Sequence, residues 1–173
     1  VLVNEIVYNQ PGNDGGGEFF ELAGTPGAAL GGLYAVVIAG DIGADQGATD
    51  LVVDLGAYFN GANGTTLIGA RDTFIWDIPA GTTFVGLEEL NSEALGGNDN
   101  GTSTYALVYS PVTPLHVGRF DYDFDNDGSL DLPAGAVIVD SIGVRDENST
   151  GSDTTYGPGS NAIQPASASG EAY

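Results

Sequence analysis

The residues best suited to chemistry in this sequence are five aspartates in the stretch DYDFDNDGSLD, residues 121–131. Counted from Asp123, carboxylates stand at positions 1, 3, 5 and 9, and Gly128 stands at position 6. This is the spacing of a calcium-binding loop, in which position 7 contributes a backbone carbonyl and the glycine permits a sharp turn. The predicted metal ligands are Asp123, Asp125, Asp127, Ser129 and Asp131.

Electrostatics favours a bound cation in this loop. Neighbouring carboxylates about 6 Å apart repel each other by roughly 2 to 3 kcal/mol per pair at an effective dielectric constant of about 20. An ordered loop therefore needs a cation, whereas a loop without one is an irregular acidic stretch screened by water and salt. Calcium is preferred to magnesium because calcium accepts many flexible oxygen ligands, while magnesium retains its waters.

The loop departs from the helix-loop-helix calcium hand at its twelfth position. That position is Ala134, where the hand carries a bidentate glutamate, and Pro133 precedes it. The flanking segments HVGRF and AGAVIVD predict strands, so the loop is not an EF-hand. A further ligand has to come from elsewhere in the chain, and the candidates are Asp121, Asp140 and Asp146.

The elements that must position this loop are short strands. Apolar runs rich in Val, Ile, Leu, Phe and Tyr alternate with turn clusters in which Gly and Asn supply positive φ angles. Strands are predicted at 1–8, 18–23, 33–39, 50–55, 65–70, 73–78, 104–109 and 136–144. The stretch GLEELNSEAL, residues 86–95, predicts a surface turn of helix. The number and spacing of the strands predict an all-β, two-sheet sandwich.

The charge of the chain is strongly negative, with 24 acidic residues against three basic ones and a net charge of −21 at pH 7. This charge argues against a nucleic-acid partner, because a phosphate backbone is bound by neutralising it with Lys and Arg. A solvated acidic surface, as in a salt-loving host, explains the charge as well as calcium binding does. No apolar stretch reaches the roughly 18 residues needed to span a bilayer, which predicts no membrane insertion.

Cysteine and methionine are both absent, and the chain opens directly on the strand-like VLVNEIVY. Without cysteine, disulfides and thiolate metal sites are excluded. The opening favours a processed protein that is secreted or displayed on the cell surface, or a fragment of something longer. The tail 157–173 is rich in Gly, Ser, Ala and Pro, which predicts a terminal strand or linker after a domain over residues 1–156.

Two other groups of residues are weaker candidates for chemistry. His116 is the only histidine, and without cysteine it anchors a zinc site only if three carboxylates join it. Glu5, Glu18 and Glu21 can converge across adjacent strands, as paired carboxylates do in glycosidases, but strand glutamates more often face solvent. No catalytic residue is therefore predicted.

The N-terminal sequence VNEIVYNQPGNDGGGEFFELAG resembles the opening of a lamin-tail-type domain, in which an Asn-Glu-Ile strand, a Gly/Asp turn and a Glu-Phe-x-Glu-Leu strand recur. ALGGLYAVVIAGD and NDNGTSTYALVYSP are similar to the strands that follow, and the acidic loop with AGAVIVDSIGV is similar to an insertion and final strand of bacterial exported members. The chain departs from the family at Ala23 and Gly24, where Tyr-Asn is common.

This resemblance implies an immunoglobulin-like β-sandwich that carries the calcium-binding loop as an insertion. Domains of the family are usually non-catalytic, occur on secreted or surface proteins, and are sometimes appended to extracellular nucleases or phosphatases.

Together these features predict a non-catalytic, calcium-stabilised extracellular domain of structural or adhesive type. Its apolar first strand can pair with the sheet edge of a second copy, and such self-association would build a surface layer or filament. The alternative is an accessory domain of a secreted hydrolase, such as a nuclease or phosphatase. A calcium-dependent hydrolase that uses the clustered carboxylates is a third hypothesis.

Overall fold

The computed structural model describes residues 1–7, 19–24, 29–43, 45–57, 83–88, 101–145 and 153–158. Within these residues the chain consists of strands and irregular segments, with a short helical turn at 55–57. The strands are β1 (Leu2–Val7), β2 (Phe19–Gly24), β3 (Leu33–Ala39), β4 (Thr49–Asp54), β5 (Thr83–Glu88), β6 (Ser103–Tyr109) and β7 (Val137–Val144). The prediction of a β-rich chain is confirmed for this part of the molecule.

Four strands form an antiparallel sheet in the order β4-β3-β6-β7. Its central strands are β3 and β6, and each is buried at its first six positions. A strand with one solvated face alternates apolar and polar residues, whereas the β3 sequence LYAVVIA is apolar throughout. Such a strand has to be buried on both faces of the sheet. The side chains of β3 are buried in two hydrophobic clusters, one on each face.

One face of the four-stranded sheet, which we call the inner face, packs against side chains of β1 and β2, and these strands pair antiparallel with β5 in the order β1-β2-β5. Ile6 of β1 and Leu22 of β2 are completely buried and join a hydrophobic cluster with side chains of the central strands. Those side chains are Leu33, Ala35, Val37, Tyr105 and Leu107. We call this cluster the inner core.

The outer face of the same sheet is covered by irregular chain. Tyr34, Val36 and Ile38 of β3 belong to this face, because successive side chains of a strand alternate between its two faces. Their cluster, which we call the outer core, also contains Ala106, Val108, Leu115, Tyr122 and Tyr156. The segment 111–136, which includes the acidic loop, is therefore a covering layer of the fold and not a peripheral appendage.

Next to a bulge in β7, a side chain of the four-stranded sheet forms a hydrogen bond with β1 of the other sheet. Leu107 pairs with Asp140 and Val108 pairs with Ile138, so Val139 has no partner in the ladder between β6 and β7. The Oδ2 atom of Asp140 accepts a hydrogen bond from the N–H of Val3 in β1 at 2.9 Å. An amide of one sheet is thus satisfied by a side chain of the other.

Two predictions of local structure are wrong. Residues 86–88, predicted as the start of a helical turn, belong to β5 and pair with 19–21 of β2, so tertiary pairing overrides helical propensity. HVGRF, residues 116–120, was predicted as a strand but is irregular. Gly118 has a φ of 105°, which is incompatible with a continuous strand.

Six of the predicted strands are present, and their ends differ from the prediction by at most one residue. The predicted strands at 65–70 and 73–78 lie outside the described residues, as do 159–173 of the tail. The division of the chain at residue 156 stays a prediction. Among the described residues there is no helix long and apolar enough to cross a membrane.

Candidate metal centre

The acidic loop is anchored to the hairpin between β3 and β4. The hydroxyl of Thr49 accepts a hydrogen bond from the N–H of Phe120 at 3.0 Å. The same hydroxyl is within donating distance of the carbonyl oxygen of Phe120, at 3.1 Å. Further along, the N–H of Tyr122 donates to the carbonyl of Gly47 at 2.9 Å. Thr49 is completely buried, so its bonds are shielded from water and fix where the loop begins.

Gly47 brings this hairpin into direct contact with the loop. Its φ of 81° lies in the left-handed region, which glycine adopts without steric cost. A Cβ atom at this position would lie 2.3 Å from the Cβ and 2.8 Å from the N atom of Asp123. Any other residue at position 47 would therefore be strained and would also displace Asp123.

The turn inside the loop uses two residues with left-handed backbone. Asn126 has a φ of 54° and Gly128 has a φ of 86°. Asn and Gly are the residues that adopt this region most readily, and the sharp turn predicted at Gly128 is present. The turn directs the N–H groups of Asp127 and Gly128 toward the carboxylate of Asp123.

The hydrogen bonds of the loop converge on Asp123, which is completely buried. Its Oδ1 atom accepts a hydrogen bond from the N–H of Asp127 at 3.0 Å, and its Oδ2 atom accepts one from the N–H of Gly128 at 3.1 Å. The hydroxyl of Tyr156 donates a third hydrogen bond to Oδ2 at 2.8 Å. An ionised carboxylate has about four lone-pair sites, so one site remains for a cation.

Tyr156 is the residue of the centre that the sequence analysis missed. It lies 33 residues from Asp123 along the chain, and its ring is buried in the outer core. Burial, followed by the hydrogen bond to Asp123, raises the pKa of Tyr156 well above its usual value. The hydroxyl therefore stays protonated and remains a donor at neutral pH. In the sequence, Tyr156 stands out only as an isolated tyrosine between Thr-Thr and Gly-Pro. That pattern does not indicate Asp123 as the partner of its hydroxyl.

Three carboxylates of the loop converge. Asp123, Asp125 and Asp127 each offer one oxygen, and these oxygens lie within 4.8 Å of one another. Asp123 is buried, whereas Asp125 and Asp127 are exposed. Carboxylate oxygens are the ligands that hard divalent cations prefer, so this group can hold a metal ion. The predicted ligands at positions 1, 3 and 5 are thus brought together.

The other two predicted ligands contact the loop itself. The Oδ2 atom of Asp131 accepts a hydrogen bond from the N–H of Phe124 at 3.2 Å, and Asp131 is not part of the converging group. The N–H of Ser129 donates to Oδ1 of Asp127 at 2.8 Å. Metal ligation by Asp131 and by the carbonyl of Ser129 stays a prediction.

The three candidates for a further ligand lie in different places. Asp121 is at the start of the loop, where its Oδ1 atom accepts a hydrogen bond from the N–H of Asp123 at 2.8 Å. Asp140 is in β7, and its carboxylate binds the N–H of Val3 in the other sheet. Asp146 lies outside the described residues. Of the two candidates that the structure describes, Asp121 is the one bonded to the loop.

A row of aromatic rings flanks the loop. His116 stacks on Phe120 with ring centroids 5.2 Å apart, and Phe120 contacts the rings of Tyr122 and Phe124 at 4.7 and 5.8 Å. The N–H of His116 donates to the hydroxyl of Tyr122 at 2.9 Å. These contacts give His116 a packing role beside the loop.

The three N-terminal glutamates considered for carboxylate chemistry are described only in part. Glu5 of β1 pairs in register with Glu21 of β2, and Glu5 is partly exposed. The side chain of Glu21 and the whole of Glu18 lie outside the described residues. Convergence of these side chains stays a prediction.

Comparison of the chain with protein-family models, with curated proteins and with solved structures gives no match. The resemblance to lamin-tail-type domains therefore depends on the sequence motifs alone.

Proposed function

We propose that this chain is a non-catalytic, calcium-stabilised extracellular domain of structural or adhesive type. The calcium ion would bind among Asp123, Asp125 and Asp127 and would fix the acidic loop on the outer face of the four-stranded sheet. The observation that carries this proposal is the completely buried carboxylate of Asp123, which two exposed carboxylates approach within 4.8 Å.

The surroundings of Asp123 favour a cation at this place. A buried carboxylate is destabilising unless hydrogen bonds or an opposite charge compensate it. Among the described residues no arginine or histidine forms an ion pair with Asp123, and the ion pair found there joins Arg119 to Asp45 at the surface. A divalent cation would complete the compensation and would also offset the repulsion from Asp125 and Asp127.

Calcium suits this loop better than magnesium does. Calcium accepts roughly six to eight oxygen ligands in flexible geometry, whereas magnesium requires a tighter octahedral shell and keeps several waters. Three converging carboxylates, the carbonyl of Ser129, the carboxylate of Asp131 and water together offer a shell of that size. The glycine turn at Gly128 supports the same assignment, because calcium loops place glycine at this position.

The hydrogen bonds of the loop favour a structural ion over a catalytic one. The carboxylates of Asp121, Asp123, Asp127 and Asp131 each accept a main-chain N–H of the loop. Their first role is therefore to hold the shape of the loop. An ion bound to them would act as a permanent clamp on the outer core, in contrast to the ion of a sensor that opens and closes.

The strand arrangement supports the immunoglobulin-like two-sheet sandwich that the lamin-tail resemblance implies. Ile6 and Leu22 of one sheet share the inner core with Leu107 of the other. Side chains from two sheets that interdigitate in one cluster are typical of facing sheets.

Self-association of the domain is supported by one edge of the four-stranded sheet. Within the described chain, β7 has a neighbour on one side only. Val137 and Val139 of this strand are 52% and 41% exposed, and Tyr109, which pairs with Val137, is 41% exposed. An exposed apolar edge of this kind can accept a strand from a second copy.

Thermal unfolding in calcium, in magnesium and in chelator tests the calcium proposal. Free calcium at about 100 times its dissociation constant should stabilise the folded chain by roughly 2.7 kcal/mol, and magnesium should do so less. Identical unfolding in calcium and in chelator would contradict the proposal. Sedimentation of the same samples measures whether copies associate, and a monomer at all concentrations in calcium would contradict the self-association.

A further inference from the structure

The segment 153–158 lies across the outer face of the four-stranded sheet, between that sheet and the acidic loop. The N–H of Thr154 donates to the carbonyl of Gly40 at 2.8 Å, and the N–H of Tyr156 donates to the hydroxyl of Thr104 at 2.9 Å. Asp153 is buried, and its Oδ1 atom accepts a hydrogen bond from the N–H of Ile42 at 3.1 Å. We call residues 153–158 the clasp segment.

Gly40, directly after β3, and Gly143 in β7 make room for the clasp segment. A Cβ atom on Gly40 would lie 2.0 Å from the carbonyl oxygen of Thr154, and a Cβ atom on Gly143 would lie 2.7 Å from the Cβ of Thr155. Real Cβ atoms do not approach other atoms so closely. The sheet therefore offers a track that fits an extended segment only while both positions are glycine.

The acidic loop contacts the clasp segment from the opposite side. The hydroxyl of Tyr156 donates to Oδ2 of Asp123 at 2.8 Å, and the ring of Tyr156 is buried with Tyr122 in the outer core. Thr154 accepts a hydrogen bond from the side chain of Gln46 at 3.1 Å and lies beside Gly128, where an added Cβ would be 3.6 Å from it. The clasp segment is thus packed between the sheet on one side and the acidic loop on the other.

We propose that bound calcium stabilises the docked clasp segment, with Asp123 as the shared contact that couples the ion and the segment. This inference rests on the proposed calcium site. Asp123 offers one carboxylate to both partners, because Tyr156 and the main-chain donors occupy three of its lone-pair sites and leave one for the ion. An ion that holds Asp123 in place holds the acceptor of Tyr156 in place as well.

The coupling has to be reciprocal. If bound calcium raises the equilibrium constant for docking of the clasp segment by a given factor, the docked segment raises the affinity for calcium by the same factor. Release of calcium frees the acidic loop. The clasp segment then loses its hydrogen bond to Asp123 and its contact with the loop at Gly128. The segment is then held mainly by its hydrogen bonds to Gly40 and Thr104, so these bonds open more often while the inner core stays folded.

Amide hydrogen exchange of the full chain, followed by NMR in calcium and in chelator, tests the coupling. The amides of Asp127 and Gly128 report the loop, and those of Thr154 and Tyr156 report the clasp segment. With free calcium at about 100 times its dissociation constant, exchange at both sets of amides should slow by up to about 100-fold. Slowing at the loop amides alone would overturn the coupling and leave the calcium site intact. A chain that does not respond to calcium at any of these amides would overturn both proposals.

Calcium titration of Tyr156→Phe measures the coupling from the other side. Tyr34→Phe is the matched control, since Tyr34 is also buried in the outer core and has no bond to Asp123. Tyr156→Phe should weaken calcium binding about 10-fold, within the usual range of coupling between sites, while Tyr34→Phe leaves it unchanged. Equal calcium affinity in Tyr156→Phe and in the unmodified chain would show that Tyr156 has a packing role only and would overturn the proposal.

Discussion

The two faces of the four-stranded sheet are sealed in different ways. On the inner face, side chains of regular strands meet, and the inner core is aliphatic apart from Tyr105. On the outer face, the cover is an irregular segment and the clasp segment, and three of the nine buried members of the outer core are tyrosines. The strands β1 and β2 on the inner face are held by backbone ladders within their own sheet, whereas the described segments on the outer face form few such ladders.

This difference shows where polar contacts have to replace regular backbone pairing. The outer cover is fixed by the buried hydroxyl of Thr49, by the close approach of Gly47 and by the bonds around Asp123. The contacts of Thr49 with Phe120, of Gly47 with Asp123 and of Tyr156 with Asp123 join segments that are far apart in the sequence. The inner core should therefore be stable without an ion, and the outer core should depend on one.

The largest effect is expected inside the inner core. Leu107→Ala removes a completely buried side chain and should destabilise the chain by about 2 to 5 kcal/mol, by the same amount in calcium and in chelator. Its neighbour Val108 faces the outer core, so the destabilisation by Val108→Ala should become smaller when calcium is removed. Denaturant unfolding of both variants in both buffers measures this, and equal calcium dependence of the two would remove the distinction between the faces.

Gly47→Ala should give the next largest effect. The substitution places a left-handed backbone on a residue with a Cβ and forces that Cβ onto Asp123, which together should cost about 2 to 4 kcal/mol. Gly135→Ala is the control, because Gly135 has a φ of 84° and no atom within 4 Å of an added Cβ. Gly135→Ala should cost about 1 to 2 kcal/mol and leave calcium binding unchanged. Equal stability of the two variants would show that the Cβ at position 47 does not press on Asp123.

Removal of one exposed carboxylate should abolish most of the stabilisation by calcium. Asp125→Asn takes a ligand from the converging group without changing a buried side chain, so the roughly 2.7 kcal/mol expected at saturating calcium should largely disappear. Asp45→Asn removes the same charge from the surface ion pair with Arg119, which contributes little to stability. Calorimetric unfolding with and without calcium compares them, and full retention of the calcium effect in Asp125→Asn would argue against this site.

The smallest effect is expected from alkaline pH. Burial, with the nearby carboxylate of Asp54 as a second cause, raises the pKa of Tyr34 above its usual value of 10.0. Because the folded pKa is the higher one, the contribution of Tyr34 is complete below pH 10 and is lost as the pH rises toward the folded pKa. The loss has a limiting slope of about 1.4 kcal/mol per pH unit for one group.

Unfolding free energies measured between pH 9 and pH 11 test this dependence, with the pH values chosen to bracket the usual tyrosine pKa of about 10. Stability should fall across the upper part of that range, and the decline should be shallower in Tyr34→Phe. A decline of the same slope in the variant would show that Tyr34 does not contribute.

The sequence predicted the strands of the inner core well, because short apolar runs bounded by turn residues report local structure directly. It also predicted the convergence of Asp123, Asp125 and Asp127, since ligand spacing within a loop is local information. It failed for residues 86–88, where pairing with β2 decides the strand. It did not indicate Tyr156, because the partner of that hydroxyl is set by the path of the chain over the sheet.

The contact between Gly47 and Asp123 also bears on how chains of this kind can diverge. The two positions lie 76 residues apart, yet the space that a side chain at position 47 would need is already filled by the Asp123 side chain. Neither position is therefore free to change alone. In an alignment of homologous chains, we expect glycine at position 47 wherever the aspartate at position 123 is retained, and larger residues there only after that aspartate has been lost.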